Sequence, residues 1–208
     1  MKKLIFILLF VPILLVAQAS WQQRADYFMD IEMDVSDFTF KGDQKIVYTN
    51  NSPDTINKVY YHLFFNAFKP GSQMDIRSRT IQDPDRRVGD RIFGLKEKDF
   101  GDLSIKTLKQ DGKKVEFKEF ETVLLVKLNT VLLPGETTEL KMSFTGQVPL
   151  QIRRSGKLNK EGVDLTMTQW YPKLAEYDFE GWHPNPYIGR EFHGVWGDYT
   201  VKIGRAHV

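Results

Sequence analysis

The chain has 208 residues, of which 41% are hydrophobic and 13% aromatic, so it can bury a real core and is too apolar for a disordered protein. Its 29 basic residues nearly balance its 27 acidic residues, which argues against a nucleic-acid-binding protein. The sequence contains no cysteine, so disulfides and a lipid-modified cysteine anchor are excluded.

The N-terminus has the pattern of a secretory signal peptide. Lys2 and Lys3 precede an unbroken apolar run, Leu4–Val16, and residues 17–19 read Ala-Gln-Ala. We therefore predict cleavage after Ala19 and a secreted or periplasmic protein. The run of thirteen residues is shorter than the ~20 that span a bilayer, so no membrane association is expected after cleavage. Loss of the two lysines leaves 27 basic residues against 27 acidic ones, a net charge of zero.

Strand patterns dominate the next fifty residues. Met29–Val35 alternates apolar and acidic residues, and Gln44–Asn50 alternates again, which predicts two strands paired as a hairpin. The stretch FKGDQ (Phe40–Gln44) is interpreted as the turn between them, and Asn50–Thr55 as the turn that follows. Lys58–Phe68 is apolar on both faces, which predicts a central strand covered on both sides.

A long charged segment, Lys69–Phe100, has no clear period and predicts an irregular insertion that is functional or carries short helices. His62 lies just before it, inside the apolar run, and is predicted to be a packed, hydrogen-bonded residue and not a metal ligand.

Strand and turn patterns return after this segment. Asp102–Phe120 contains the hairpin signal Asp111-Gly112, and Leu132–Pro149 contains a Pro-Gly turn followed by strict alternation. Thr122–Leu128 lies between them as a further strand, and no amphipathic helix of substantial length is apparent. The pattern predicts an all-β fold: an antiparallel curved, saddle-like sheet or sandwich with one long irregular insertion.

Residue patterns for catalysis or metal binding are weak. The histidines show no H-E-x-x-H spacing, and there is no nucleophile elbow, phosphate loop or cysteine nucleophile. Glu191 and His193 would share one side of a strand, but a polar strand face explains that pair better than a metal site. Acidic pairs at 83/85 and 178/180 lack the fixed spacing that glycoside hydrolysis needs. We therefore predict no catalytic residue, metal ligand or cofactor in this chain.

Three blocks of the sequence resemble one known family: Tyr60–Ser72, Leu132–Pro149 and Leu165–Ile203. The third block is the most specific, with the motif QWYPK, the triplet Gly-Trp-His at 181–183 and the segment Glu191–Gly197. Together they are similar to the N-terminal domain of the aminopeptidase N family of zinc metallopeptidases (peptidase family M-one), in an exported bacterial form. The resemblance runs from about Ala25 to Ile203.

The resemblance implies that residues 20–203 form an all-β N-terminal domain that packs against a catalytic domain and helps to wall its peptide-substrate cleft. Zinc and the catalytic residues belong to that catalytic domain, whose motifs are not in this sequence. The domain would be the main partner of this chain, which is expected to be inactive alone.

Candidate site residues lie in the segment Thr168–Tyr187, which holds two Trp, three Tyr and three Pro without a regular period. Its aromatic residues are predicted to form a domain interface or cleft lip: Trp170, Tyr171, Trp182 and Tyr187. An equal alternative is that they cover the domain's own core. Gln169 is the nearest candidate to bind the substrate amine, although its spacing to the following aromatic-Pro pair differs from the family's.

Two further alternatives stay open. Residues 204–208 are interpreted as a non-native tail, because Ile203–Val208 departs from the strand pattern and resembles a translated sequencing adapter; the alternative is a natural C-terminus. The rival functions are a stand-alone exported β-sandwich that binds a peptide or carbohydrate through its aromatics, and a structural domain of the cell envelope.

Overall fold

The computed structural model describes residues 20–81, 87–189 and 192–205. Its strands, in chain order, are β1 (Arg24–Asp34), β2 (Thr39–Thr49), β3 (Ile56–His62), β4 (Asp102–Gln110), β5 (Lys113–Lys114), β6 (Glu116–Phe120), β7 (Val123–Leu132), β8 (Thr137–Gln147), β9 (Gly156–Lys157), β10 (Leu165–Thr166), β11 (Lys173–Leu174), β12 (Tyr177–Asp178), β13 (Gly181–Trp182) and β14 (Tyr199–Arg205). The helices are α1 (Gln73–Thr80) and two 3-10 helices, Phe64–Phe68 and Glu97–Asp99. None of the described helices is long and apolar enough to cross a membrane.

Two sheets enclose the main core. The larger has the order β14-β1-β2-β8-β4-β5, and the smaller has the order β11-β3-β7-β6. Buried side chains from both sheets, such as Ile46 and Leu140 from the first and Val59 and Val126 from the second, form one cluster. This confirms the predicted all-β, sandwich-like fold. One strand pair departs from the antiparallel prediction, because β14 runs parallel to β1 at the edge of the larger sheet.

The first hairpin forms as its alternation predicts. Tyr27, Met29, Ile31 and Met33 are all buried on the inner face of β1, and β2 pairs with β1 along its whole length. The predicted turn is wrong, however. The chain reverses at residues 35–38, and the stretch FKGDQ lies inside β2.

Glycine has a different purpose in that stretch. Phe40 lies opposite Gly146 on β8, and Gly42 lies opposite Phe144, so each core-facing ring covers a glycine on the neighbouring strand. A Cβ at Gly146 would be 2.1 Å from the Phe40 ring, and a Cβ at Gly42 would be 2.7 Å from the Phe144 ring. The glycines therefore make room for rings in the core and do not reverse the chain.

The predicted central strand over Lys58–Phe68 is correct only in its first half. After β3 ends at His62, the chain turns into the 3-10 helix Phe64–Phe68. Phe64, Ala67 and Phe68 of this helix join a second core, whereas Phe65 enters the main core. The second core consists of Phe64, Ala67, Phe68, Met74, Val88, Ile92, Ile152 and Tyr187. The run is apolar throughout because its side chains are divided between two different cores.

The long segment after this run carries short helices, as one alternative predicted. Ser72 caps α1 by accepting a hydrogen bond from the N–H of Asp75 at 3.1 Å. Asp75 is fully buried and accepts a 2.9 Å hydrogen bond from Nε of Arg79, one turn further on. This local network fixes the helix beside the second core, although α1 has only eight residues.

The remaining hairpin predictions are confirmed. Asp111 and Gly112 connect β4 to β5 with φ of 47° and 80°, the backbone that a two-residue hairpin turn requires. The Pro-Gly turn lies between β7 and β8, and the alternating apolar residues of β8 all point into the core.

We predict that Gly146→Ala lowers the free energy of unfolding by about 1–3 kcal/mol, because the added methyl group displaces the Phe40 ring from a packed core. The measurement is urea denaturation followed by fluorescence. Gly94→Ala is the control, since its Cβ would meet nothing closer than 3.8 Å. Equal effects of the two substitutions would contradict the ring-over-glycine packing.

Candidate functional site

The hairpin β12–β13 divides its side chains between two environments. Tyr177 pairs with Trp182 and Asp178 with Gly181, and the carbonyl of Glu176 accepts a 3.0 Å hydrogen bond from the N–H of His183. Tyr177 and Trp182 pack against the main core. Because side chains alternate along paired strands, Asp178 and His183 lie together on the opposite face.

A third residue joins these two from a later segment. Asp178 Oδ1 lies 2.8 Å from Nε2 of His183, and Asp178 Oδ2 lies 3.6 Å from Nε2 of His193. The two imidazole rings are 4.9 Å apart and nearly perpendicular. We call Asp178, His183 and His193 the Asp–His cluster. One ligand atom from each of its three residues lies within 4.8 Å of the other two, which is close enough to hold a metal ion.

The carboxylate of the Asp–His cluster is held in place by its own turn. The N–H of Glu180 donates a 2.8 Å hydrogen bond to Asp178 Oδ1. Partial burial by itself raises the pKa of Asp178, but His183, this N–H and His193 together bring that pKa below its usual value. Asp178 is therefore a carboxylate near neutral pH.

Two more ionisable groups surround the cluster. Burial raises the pKa of Glu176, although His193 and His183 oppose that shift. Burial also lowers the pKa of Lys173, whose aliphatic stem packs so closely on Gly194 that a Cβ there would lie 2.6 Å from the Lys173 Cε. Several titratable side chains thus share one partly dehydrated region.

His62 lies beneath this region and is 2% exposed. Its ring stacks on Phe64 with centroids 5.0 Å apart, and its Nδ1 is buried without a hydrogen-bond partner among the described residues. Burial, with a smaller contribution from Lys173, lowers the pKa of His62 to about 4. The prediction of a packed histidine is confirmed, whereas its predicted hydrogen bonding stays a prediction.

The Asp–His cluster opens into a cleft of about 690 Å³. Aromatic side chains form much of its wall, and Phe179 and Trp196 are 78% and 69% exposed. The residues that line the cleft are Ser20, Trp21, Gln22, Glu176, Asp178, Phe179, Phe192, His193, Gly194 and Trp196. Solvent therefore reaches His193 directly.

The structure separates the four predicted aromatic residues. Tyr187 is only 4% exposed and belongs to the second core, where its ring meets Phe64 edge-on at 5.3 Å. It is therefore not a surface contact, because the 3-10 helix after β3 covers it. Trp182 is half-buried and packs against Tyr48, Tyr60 and Tyr177, so it lies over the main core.

Trp170 and Tyr171 form a pair on another side of the core. Their rings are 5.4 Å apart, and both are half-buried. Trp170 meets the Phe40 ring edge to face, and Tyr171 contacts both Tyr27 and Tyr199. These two residues cover part of the core and also leave aromatic surface open to a neighbour.

Gln169 does not join the Asp–His cluster or its cleft. It has φ of 55° and lines a narrow crevice next to the second core. Its Oε1 is buried and has no hydrogen-bond partner among the described residues. Its proposed contact with a substrate amine stays a prediction.

The last strand leaves an apolar face uncovered. Tyr199, Val201 and Ile203 on β14 pair with the buried Tyr27, Met29 and Ile31 on β1, so they point to the core side of the sheet. They are nevertheless 43%, 40% and 66% exposed. We call Tyr199, Val201 and Ile203 the β14 patch.

The strand continues two residues past the predicted domain boundary. Gly204 and Arg205 remain paired with β1, whereas the signal-peptide interpretation of residues 1–19 and the end of the tail, residues 206–208, lie outside the described residues. Residues 83, 85 and 191 also lie outside them, so the acidic pair 83/85 and the pair Glu191/His193 stay untested.

Sequence analysis missed the Asp–His cluster. A signal for half of it was present, because Glu176, Asp178 and His183 alternate with Tyr177 and Trp182 around a two-residue turn. The approach of His193 has no local signal, since the segment that carries it is irregular and its position depends on tertiary packing.

Comparison with known proteins gives matches only among solved structures. No family model and no curated protein matches the chain. The M1 zinc metallopeptidase from Deinococcus radiodurans is similar over 88% of this chain and 32% of that chain, with 14% identity and a TM-score of 0.47. A mutant of that enzyme bound to a Tyr-Ser-Ala substrate gives the same values. This chain thus spans about a third of the structures that it resembles.

We predict that the free energy of unfolding falls as the pH drops from about 6.5 to about 4, because the unfolded chain protonates His62 while the folded chain holds it neutral. Above pH 6.5 both states are neutral at this residue, so the contribution is constant. The shift corresponds to roughly 3 kcal/mol between the two limits.

Urea denaturation across this pH range, in buffer with a chelator, measures the effect. His62→Gln keeps a polar side chain of similar length but does not titrate, and it should flatten the dependence of the free energy of unfolding on pH. The comparison also removes the opposing effect of Glu176, whose raised pKa is common to both proteins. An unchanged slope in the variant would show that His62 does not titrate as described.

Proposed function

We propose that this chain is the non-catalytic N-terminal β domain of an exported zinc aminopeptidase, and that it packs on a catalytic domain and helps to wall the peptide-substrate cleft. The resemblance of residues 25–203 to such domains supports the family assignment. The uncovered β14 patch is the observation that carries the packing role.

The β14 patch has the structure of a half-completed core. Its residues lie in register with fully buried residues of β1, so the apolar inner face of the sheet extends one strand further than its cover. Exposed strand positions usually carry charged side chains such as Glu or Lys. On this face of β14 the exposed positions are instead occupied by Val201 and Ile203. Such an apolar face gains free energy when another surface removes it from water.

The β14 patch is continuous with the aromatic pair predicted from the sequence. Tyr171 contacts Tyr199 with ring centroids 6.0 Å apart, and Tyr199 stacks on Tyr27 at 4.6 Å. Trp170 extends the same surface. Aromatic side chains of this kind are enriched at protein interfaces, because they bury a large area at a low cost in conformational entropy. We propose that the neighbouring domain packs against this combined surface.

The proposal predicts a difference between this chain and the longer protein. In this chain Val201→Asp should lower the free energy of unfolding by no more than about 1 kcal/mol, the range of strand preferences, because water already reaches the position. In the full-length protein the same change should cost several kcal/mol, because it buries an unpaired charge between domains. Denaturation of both proteins measures the two values.

Thr200→Asp is the matched control for this experiment. Thr200 is adjacent on β14 but points to the opposite face, with Phe28 as its partner on β1. It should be tolerated in both proteins. If Val201→Asp proved as mild as Thr200→Asp in the full-length protein, β14 would not be the domain interface.

A second prediction concerns the gene and its activity. We expect the reading frame to continue into a segment with H-E-x-x-H, and the full-length protein to release N-terminal residues from peptides with zinc-activated water. This chain supplied with zinc should not hydrolyse aminoacyl-p-nitroanilides above background. A stop codon directly after the printed sequence in the source genome, or clear turnover by this chain, would overturn the proposal.

The cleft beside the Asp–His cluster favours one alternative, a stand-alone exported module that binds a peptide or carbohydrate. Its exposed Phe179 and Trp196 offer flat aromatic faces, and its acidic residues offer hydrogen-bond acceptors. Binding of a peptide or oligosaccharide by this chain, with loss on Trp196→Ala, would favour that function over a domain-packing role.

A further inference from the structure

We propose that Asp178, His183 and His193 form a binding site for a divalent transition-metal ion of the Zn²⁺ type on this domain. The site is separate from the zinc that the proposed function assigns to another domain. It also departs from the sequence-based expectation that this chain holds no metal.

The donor set fits this class of ion. Two imidazole nitrogens and one carboxylate oxygen are ligands that Zn²⁺, Co²⁺ and Ni²⁺ accept, whereas Mg²⁺ and Ca²⁺ prefer oxygen donors alone. Around a tetrahedral Zn²⁺ with bonds of about 2.0–2.2 Å, two ligand atoms lie about 3.4 Å apart. His183 lies 2.8 Å from Asp178 Oδ1 and His193 lies 3.6 Å from Oδ2. One ligand atom from each of the three residues lies within 4.8 Å of the other two, so small side-chain shifts would bring the three atoms to this spacing.

The buried side-chain nitrogen of His183 supports a role as a metal ligand. Its Nε2 is buried, lies 2.8 Å from Asp178 Oδ1 and has no hydrogen-bond partner among the described residues. A bound metal ion would satisfy this nitrogen, because an imidazole nitrogen is a common ligand of Zn²⁺.

The surroundings hold two of the three ligands before any ion arrives. The N–H of Glu180 donates to Asp178, and the main-chain N–H of His183 donates to the carbonyl of Glu176. Outer contacts of this kind orient metal ligands and raise affinity. His193 is 58% exposed on its side chain, so it can complete the site with a small rotation.

The cleft gives the ion a route of entry and an open coordination position. Three protein ligands leave a fourth coordination position free, and two of the three residues, Asp178 and His193, line the cleft. Glu176 lies at the same cleft and adds negative charge near the ion when it is ionised. Bound metal would also join the hairpin β12–β13 to the segment at His193, two parts of the chain that no described strand pairing connects.

The test is titration of the metal-free chain with Zn²⁺ by isothermal titration calorimetry, and with Co²⁺ by visible absorption. We expect one equivalent of Zn²⁺ to bind and Co²⁺ to give the visible bands of a low-coordinate site. Ca²⁺ and Mg²⁺ should not compete. Bound Zn²⁺ should also raise the unfolding temperature, because it binds the folded state.

Three variants assign the ligands. Asp178→Asn, His183→Gln and His193→Gln should each lower Zn²⁺ affinity by at least about tenfold, since even the loss of an outer contact costs that much. His193→Gln is the decisive variant, because its exposed side chain can change without disturbing the fold. Circular dichroism checks the fold of each protein.

Two controls separate this site from adventitious binding. Glu180→Gln removes an exposed carboxylate from the same hairpin, and His207→Gln makes the same chemical change in the tail. Both should bind Zn²⁺ like the parent chain. Absence of Zn²⁺ binding, unchanged affinity in His193→Gln, or loss of affinity in His207→Gln would overturn the proposal. These outcomes leave the domain-packing function untouched, because they involve neither β14 nor peptidase activity.

Discussion

Two buried hydrogen bonds attach the irregular segment around Pro172 and Leu174 to the core-facing side of the larger sheet. The hydroxyl of Tyr27 accepts the N–H of Leu174 at 2.9 Å, and Nε2 of Gln44 donates to the carbonyl of Pro172 at 2.9 Å. Main-chain polar groups without a regular partner are costly to bury, so such a segment needs side chains that reach it from beneath. The short pairing of β11 with β3, with a bond from Ala175 to the carbonyl of Tyr60, completes the attachment.

Both the proposed domain packing and the proposed metal site depend on this attachment. On one side it places Tyr171 against Tyr199 and so builds the surface on which a neighbouring domain would pack. On the other side it delivers the hairpin β12–β13 to the position where Asp178 and His183 meet His193. The domain thus carries an apolar, aromatic surface at Tyr171 and Tyr199 and a group of ionisable residues at the Asp–His cluster. One irregular segment contributes residues to both.

Local patterns predicted the fold because strands with one buried face alternate, as β1 and β8 do. They failed where a residue type serves tertiary packing. Gly42 resembles a turn residue in sequence but makes space for Phe144, and the apolar run after His62 divides between two cores. The Asp–His cluster could be predicted from the sequence only in part. Alternation relates Asp178 to His183, but no local pattern relates either residue to the segment at His193.

The parallel pairing of β14 with β1 has a consequence for how the sheet is completed. Tyr27 and Tyr199 are neighbours in space but stand at opposite ends of the chain, so the contact closes a very long loop. Contacts of such sequence separation form slowly. Until β14 arrives, the outer edge of β1 exposes unpaired main-chain groups that can recruit strands from other molecules. Conditions that delay the pairing of β14 with β1 should therefore favour aggregation before they lower the stability of the finished domain.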